Sequence, residues 1–261
     1  MYFGTMSTEK ESKLNALLRN QPSGVVLTSS WLAKQGYSLE LQKRYKKSQW
    51  FDAFGTGALV RHGDQVDYLG GVYALQSQLG LSVHPGGKTA LAMQGKAHYL
   101  ELSAKRAQLF AGKGENLPLW FKKHNWGLKV ECLTTGFLPA ELGLVEFEHK
   151  SFKVRISGPA RALMECLYLA PKVQSLVEAY ELMESLNNLR PAPVQELLAA
   201  CTSVKVKRLF LYLANKAGHQ WLGYLDTNKL DLGAGKRVIV ANGHYVSKYQ
   251  ITVPKELEAA V

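Results

Sequence analysis

No apolar run in this chain approaches the roughly 20 residues that a bilayer-spanning helix requires, and the amino terminus lacks a basic stretch followed by an apolar signal core. A cytoplasmic location and no membrane partner are expected on those grounds. Cysteine is scarce: Cys132, Cys166 and Cys201 are odd in number, widely spaced and set among apolar residues. That is the usage of buried free thiols in a reducing compartment, not of a disulfide framework. Metal-ligand spacing is missing as well. The seven histidines, His62, His84, His98, His124, His149, His219 and His244, show no i, i+4 pairing and no paired cysteines beside them. No metal, no cofactor and no catalytic residue is therefore expected, and the absence of a Gly-x-Ser-x-Gly elbow removes support for acyl transfer. Internal repeats and low-complexity tracts are also lacking.

What is present is ordinary globular material: 261 residues, 46% hydrophobic and 20% charged, enough for two domains with real cores. Met1 to Thr5 precede a second methionine, Met6, and read as a cloning remnant outside the fold. The net charge of +11 and a pI near 9.5 favour a polyanionic partner over an acidic protein or an anionic membrane. Residues 1–80 hold nine of the 32 Lys/Arg and six of the 21 Asp/Glu, or +3, which leaves +8 beyond residue 80. Either the second part of the chain also faces nucleic acid, or it has an anionic partner of its own.

The stretch from Ser29 to Tyr68 carries the clearest pattern. A short helix capped by Ser29 or Ser30 ends at Gly36, and Ser38 caps a second helix with Leu39, Leu41, Tyr45 and Trp50 as apolar anchors. Lys43, Arg44, Lys46 and Lys47 fan across more than half of that helix. Such a spread suits a major groove, where phosphates flank the helix and base edges face its front. Ala58 to Arg61 and Gln65 to Tyr68, joined through His62-Gly63-Asp64, read as the two-stranded wing, with Arg61 and His62 near its tip. A helix from Lys10 to Asn20, with Leu14, Leu17 and Leu18 on one side, completes a winged helix-turn-helix. In the duplex-bound state, Gln42, Lys43, Lys46 and Lys47 would meet bases or phosphates, Arg61 and His62 the flanking backbone, and Thr28 and Ser30 a phosphate. The plain alternative is a helix whose charges are only solvated.

Beyond Leu81 the pattern is mixed. Gly86-Gly87-Lys88-Thr89 invites a phosphate-loop reading, but the glycine required five residues before Gly87 is Ser82, so a turn feeding a helix from Lys88 to Gln94 is expected. Strands are expected at Tyr99–Leu102, Leu128–Leu133, Leu144–Glu148 and Phe152–Ile156, the last two forming a hairpin. Helices come next: one capped by Ser157 and entered through Pro159, with Arg161 and Glu165 one turn apart, then Val173–Leu186, Val194–Cys201 and Val204–Ala217. Arg237–Ala241 and Tyr245–Val253 around Asn242-Gly243 read as a closing hairpin. The fold class is α+β, with a winged helix-turn-helix domain at 1–80 followed by a larger mixed domain at 81–261. Lys205, Lys207, Arg208, Lys236, Arg237 and Lys248 form a second basic group, on one face or as independent solvated positions. Glu148-His149-Lys150 resembles the tail of an acidic-x-Lys nuclease motif, which makes a metal-dependent nuclease with a docking winged helix the alternative function. A protein-binding scaffold with a structural wing is the other.

Several segments taken in order resemble the AbiEi family, the antitoxin half of bacterial type IV toxin-antitoxin (abortive infection) systems. They are Leu27 to Gly36 with the basic helix after it, the run from Val83 to Leu91, the run from Ser157 to Glu165, Lys207 to Leu211, Gly233 to Arg237 and Tyr249 to Pro254. The residue before Arg161, often acidic in relatives, is Ala160 here, so no role is assigned to it. The resemblance implies a winged-helix domain that binds inverted repeats in its own promoter and represses it. It also implies a C-terminal domain that neutralises a nucleotidyltransferase-like toxin, directly or indirectly. Lys205, Lys207, Arg208, Lys236, Arg237 and Lys248 are then the candidates for antitoxicity.

Overall fold

The computed structural model describes residues 12–96 and 106–259. The strand expected at Tyr99–Leu102 lies outside them. Helix α1 (Lys13–Asn20) starts where the Ser12 hydroxyl accepts the Asn15 amide, and it buries Leu17. Strand β1 (Leu27–Thr28) leads into α2 (Ser29–Lys34), and Gly36 at φ +84° turns the chain toward α3 (Leu39–Lys47). The Ser38 hydroxyl accepts the Leu41 amide at 3.2 Å and so satisfies one of the free amides at the start of α3. Strands β2 (Phe51–Gly55) and β3 (Ala58–Arg61) then complete an antiparallel sheet in the order β1-β3-β2. This is a winged helix-turn-helix.

The wing is one strand earlier than the sequence suggested. Its turn is Thr56-Gly57, and Arg61 lies at the base of the hairpin, not its tip. Gln65–Tyr68 is not a strand, because Asp67 accepts the amides of Leu69 and Gly70 and starts helix α4 (Tyr68–Ser77). Two adjacent glycines hide that helix, since glycine is a poor helix former. Their reason is contact: a Cβ on Gly70 would lie 2.1 Å from the Gly24 carbonyl oxygen, and one on Gly71 2.7 Å from the Trp126 ring.

Helix α4 is shared between the two parts of the molecule. Gln78 accepts the Thr28 amide and donates to the Val26 carbonyl, each at 2.8 Å. Gln76 donates to the carbonyls of Val83 and Arg155 and accepts the Arg155 amide. Gln78 thus holds the winged helix, and Gln76 holds the larger part of the chain.

The larger part begins with β4 (His84–Pro85), α5 (Gly87–Met93), β5 (Arg106–Gly112), α6 (Leu119–Lys123) and β6 (Lys129–Thr135). The sheet order is β4-β5-β6, with β5 and β6 parallel. Strands β7 (Leu144–His149) and β8 (Phe152–Ser157) form the expected hairpin. Helices α7 (Pro159–Leu169), α8 (Leu176–Glu184), α9 (Pro191–Ala200) and α10 (Val204–Lys216) come next. Residues 160–167 of α7 and 206–214 of α10 are buried without interruption, so these two helices form the centre of the core. The closing sheet departs from the sequence reading. Strand β9 (Arg237–Val238) pairs in parallel with β11 (Ile251–Val253), and it is β10 (His244–Val246) that forms a hairpin with β11. Asn242, at φ +57°, does turn the chain, but between strands that are not neighbours. A last helix, α11 (Glu256–Ala259), completes the described chain, in which no helix is long and apolar enough to cross a membrane.

Gly70→Ala should destabilise the protein by about 2 kcal/mol although alanine favours helix, because the added methyl meets a backbone carbonyl that cannot move aside. Thermal melts check this, and a stability gain would mean that the loop at Gly24 is free to shift.

Candidate nucleic-acid interface and the buried polar centre

On α3, Gln42 is 4% exposed and sits on the inward side with the partly buried Leu41 and Tyr45. Its amide nitrogen donates to the carbonyls of Ser29 (3.1 Å) and Tyr37 (2.8 Å), so it ties the two helices of the motif together. It therefore does not reach a base. Lys43, Arg44, Lys46 and Lys47 are all exposed, and none of their side chains forms a hydrogen bond or ion pair with another described residue. Leu39 (62% exposed), at the start of this helix, and Trp50 (49%), three residues past its end and just before β2, are not buried anchors. Glu40 is the exposed acid in the first turn of α3, where the helix dipole favours a negative charge.

Other positions from the sequence reading move away from a ligand. Thr28 is buried at the end of β1, and its hydroxyl lies inside the protein. Ser30 and Ser38 are exposed, although the Ser38 hydroxyl is engaged as the cap of α3. Arg61 donates to the carbonyls of Leu18 and Gln21 and so closes the end of α1. His62 remains exposed and pairs with Asp52 at 3.0 Å across the base of the hairpin.

A cluster that the sequence reading does not contain adjoins the wing. Phe54 of β2 stacks on His124 with ring centroids 4.1 Å apart and meets Trp126 at 5.6 Å and Trp120 at 6.2 Å. Burial against these rings lowers the affinity of His124 for a proton. The sequence signal is a run of basic residues interleaved with aromatics from Trp120 to Trp126, Lys122 and Lys123 among them. It is hard to interpret alone because nothing local says that the segment folds back against residue 54.

The run from Val83 to Leu91 and the run from Ser157 to Glu165 meet in a buried polar centre. The Glu165 carboxylate accepts from the Ser157 hydroxyl (2.7 Å), the Gly87 amide (2.8 Å), Arg161 Nε (2.9 Å) and His84 Nε2 (3.2 Å). His84 Nδ1 faces the Ser82 carbonyl at 2.6 Å, so both ring nitrogens meet acceptors. Arg161 continues to the carbonyls of Pro139 and Leu142. Ser157 is thus a partner of Glu165, and Gly158, not Ser157, occupies the cap position of α7. Complete burial by itself would raise the Glu165 carboxyl. The hydrogen bond and charge of His84, the charge of Arg161 and the Gly87 amide outweigh it and hold Glu165 below the usual carboxylate value of 4.5.

The residues of two motif readings are also bonded within the chain. Lys88 pairs with Glu178 at 2.8 Å and the Thr89 hydroxyl accepts the Gln108 amide, so the Gly-Gly-Lys-Thr run is occupied by its own chain and does not cradle phosphate. Glu148 pairs with Lys153 at 3.4 Å, while His149 and Lys150 both reach Asp67, at 2.7 and 2.8 Å. The acidic and basic members of the supposed nuclease motif therefore do not converge. Asp67, drawn upward by burial but more strongly downward by Lys150, His149 and the Gly70 amide, lies below its usual range.

The second basic group divides into internal and external members. Arg208 is 2% exposed and donates to the carbonyls of Leu232, Gly233, Gly235 and Gln250, which gathers the closing sheet onto α10. Lys205 caps the end of α7 through the carbonyls of Tyr168 and Ala170, with its proton affinity lowered by burial and by Lys172. Lys207 is buried. Lys236, Arg237 and Lys248 are exposed, with Lys236 over the Tyr245 ring and Lys248 bonded to Asn215.

Because Glu165 is held below its unfolded value, its contribution to stability is complete above about pH 4.5 and is lost as pH falls through the lower folded-state value. Glu165→Gln should cost about 3 kcal/mol at neutral pH by leaving buried cations uncompensated. It should also flatten the acid limb of stability against pH. Thermal melts between neutral pH and pH 3 read both effects, and an unchanged acid limb would assign the acid sensitivity elsewhere.

No curated relative matches the chain. A solved structure, the RV2827C protein from Mycobacterium tuberculosis, is similar at 12% identity with a TM-score of 0.57, over 92% of this chain and 89% of that one, a likeness of fold. The family model for the AbiEi antitoxin N-terminal domain, described as a transcriptional regulator, matches residues 10–102. The model described as transcriptional regulator, AbiEi antitoxin, type IV toxin-antitoxin system matches residues 104–254. The chain belongs to the AbiEi family of transcriptional-regulator antitoxins of type IV toxin-antitoxin systems.

Proposed function

We propose that residues 1–80 bind inverted repeats in the protein's own promoter as a repressor, and that residues 81–261 neutralise a nucleotidyltransferase-like toxin. The carrying observation is the exposed surface of α3, around which Lys43, Arg44, Lys46 and Lys47 stand with their side chains unengaged while Gln42 is buried. A helix held by Ser38 and Gln42, with free cations fanned around its exposed surface, suits insertion into a major groove. If these four cations neutralise about four phosphates per copy, log affinity falls against log salt with a slope of roughly −3.6, steeper when two copies occupy a repeat. For the antitoxin role, Lys236, Arg237 and Lys248 are the members of the second basic group that a partner can reach. Arg208 supports that surface from within.

Replacing Lys43, Arg44, Lys46 and Lys47 together by alanine should abolish the mobility shift of the promoter duplex while leaving the melting temperature within a degree or so, because exposed charges contribute little to stability. A shift retained at moderate salt would remove α3 as the reader. Reversing Lys236, Arg237 and Lys248 to glutamate should end rescue from growth arrest by the neighbouring toxin without weakening promoter binding. Full rescue by that variant would move antitoxicity to another surface.

A further inference from the structure

We infer that α6, in the larger part of the chain, belongs to the duplex-binding surface, with Lys122 and Lys123 contacting the phosphate backbone beside the wing. The inference rests on the repressor reading and extends it to a segment outside the helix-turn-helix. Its basis is the way α6 is locked to β2. A Cβ on Gly55, which stands at φ +139° next to the wing turn, would be 3.1 Å from the Trp120 Cβ. The neighbouring Phe54 stacks on His124, and Trp126 closes the cluster by donating to the Phe121 carbonyl at 3.0 Å. Phe121 is buried against α4. Parting α6 from the wing would expose all of these rings, so wherever the wing goes α6 goes too.

The other face of α6 is free. Lys122 and Lys123 are exposed, and their ammonium groups form no hydrogen bond or ion pair with a described residue. Nearby acids are otherwise engaged: Asp52 of β2 meets His62, and the Glu115 carboxylate accepts the Ser82 amide. When α3 lies in a major groove the wing runs along the adjoining backbone, and two unneutralised ammonium groups fixed beside the wing turn then meet the next phosphates. This also accounts for part of the positive excess beyond residue 80, which the winged helix itself does not contain.

The test is a salt titration of the full chain and of Lys122→Ala/Lys123→Ala. The probes are the duplex immediately upstream of the coding sequence and a scrambled duplex of equal length. The double variant should keep its melting temperature, lose affinity equally for both duplexes, and show a salt slope shallower by about 1 per lysine. Lys122→Arg/Lys123→Arg should restore the slope. Parallel salt plots for the alanine variant and the parent overturn the inference. The α3 quadruple variant in the same series separates the two readings. If it loses binding while the α6 plots stay parallel, only the present inference fails; if it binds like the parent, the repressor assignment of α3 fails, and a shallower α6 slope would still support a backbone contact there.

Discussion

The larger part of this molecule is organised around one buried carboxylate. Glu165 draws together the start of α5, the end of β8, α7 itself and His84 of β4, through four hydrogen bonds from groups that are themselves buried. An ion taken out of water is tolerated only when its charge and lone pairs are met, and removing one partner of such a group typically costs about 3–5 kcal/mol. Its fit leaves no slack: a Cβ on Gly86 would come within 2.3 Å of the same carboxylate. That arrangement sets the position of α7, and of the α10 core packed on it.

Cations in this protein divide by what surrounds them. Arg61, Arg161, Lys205 and Arg208 turn inward and satisfy carbonyls at helix ends and loops, where an unpaired oxygen would otherwise be stranded. Those on α3 and α6 turn outward into solvent. Net charge alone cannot make this distinction, because a guanidinium that braces a loop counts the same as one that meets a phosphate.

The two parts of the chain are held together by polar and aromatic contacts at separate places. Asp67 receives His149 and Lys150 from the end of β7 and the turn after it, Ser151 donates to the Ser23 carbonyl, and the rings of Trp120, His124 and Trp126 meet Phe54. Helix α4 carries Gln76 toward one part and Gln78 toward the other. The winged helix is thus embedded along its sheet and exposed along α3, which is the orientation that a reader of duplex needs.

Local chemistry was enough to determine the winged-helix order through α3, the β7–β8 hairpin and the long helices α7 and α10, because caps, turn glycines and apolar periodicity act within a few residues. The family resemblance was likewise carried by short segments whose order survives in the sequence. What only the tertiary structure decided depends on partners far away in the chain. Gly70 and Gly71 hide a helix until Gly24 and Trp126 are placed against them. Gln42 looks like a base reader until its amide meets Ser29 and Tyr37. The closing strands pair in parallel across β11 and not around Asn242-Gly243, and Arg208, some thirty positions earlier, holds the loop that sets this pairing. A side chain's type sets what it can bond, but which acceptor reaches it first is settled by the packing of the whole chain.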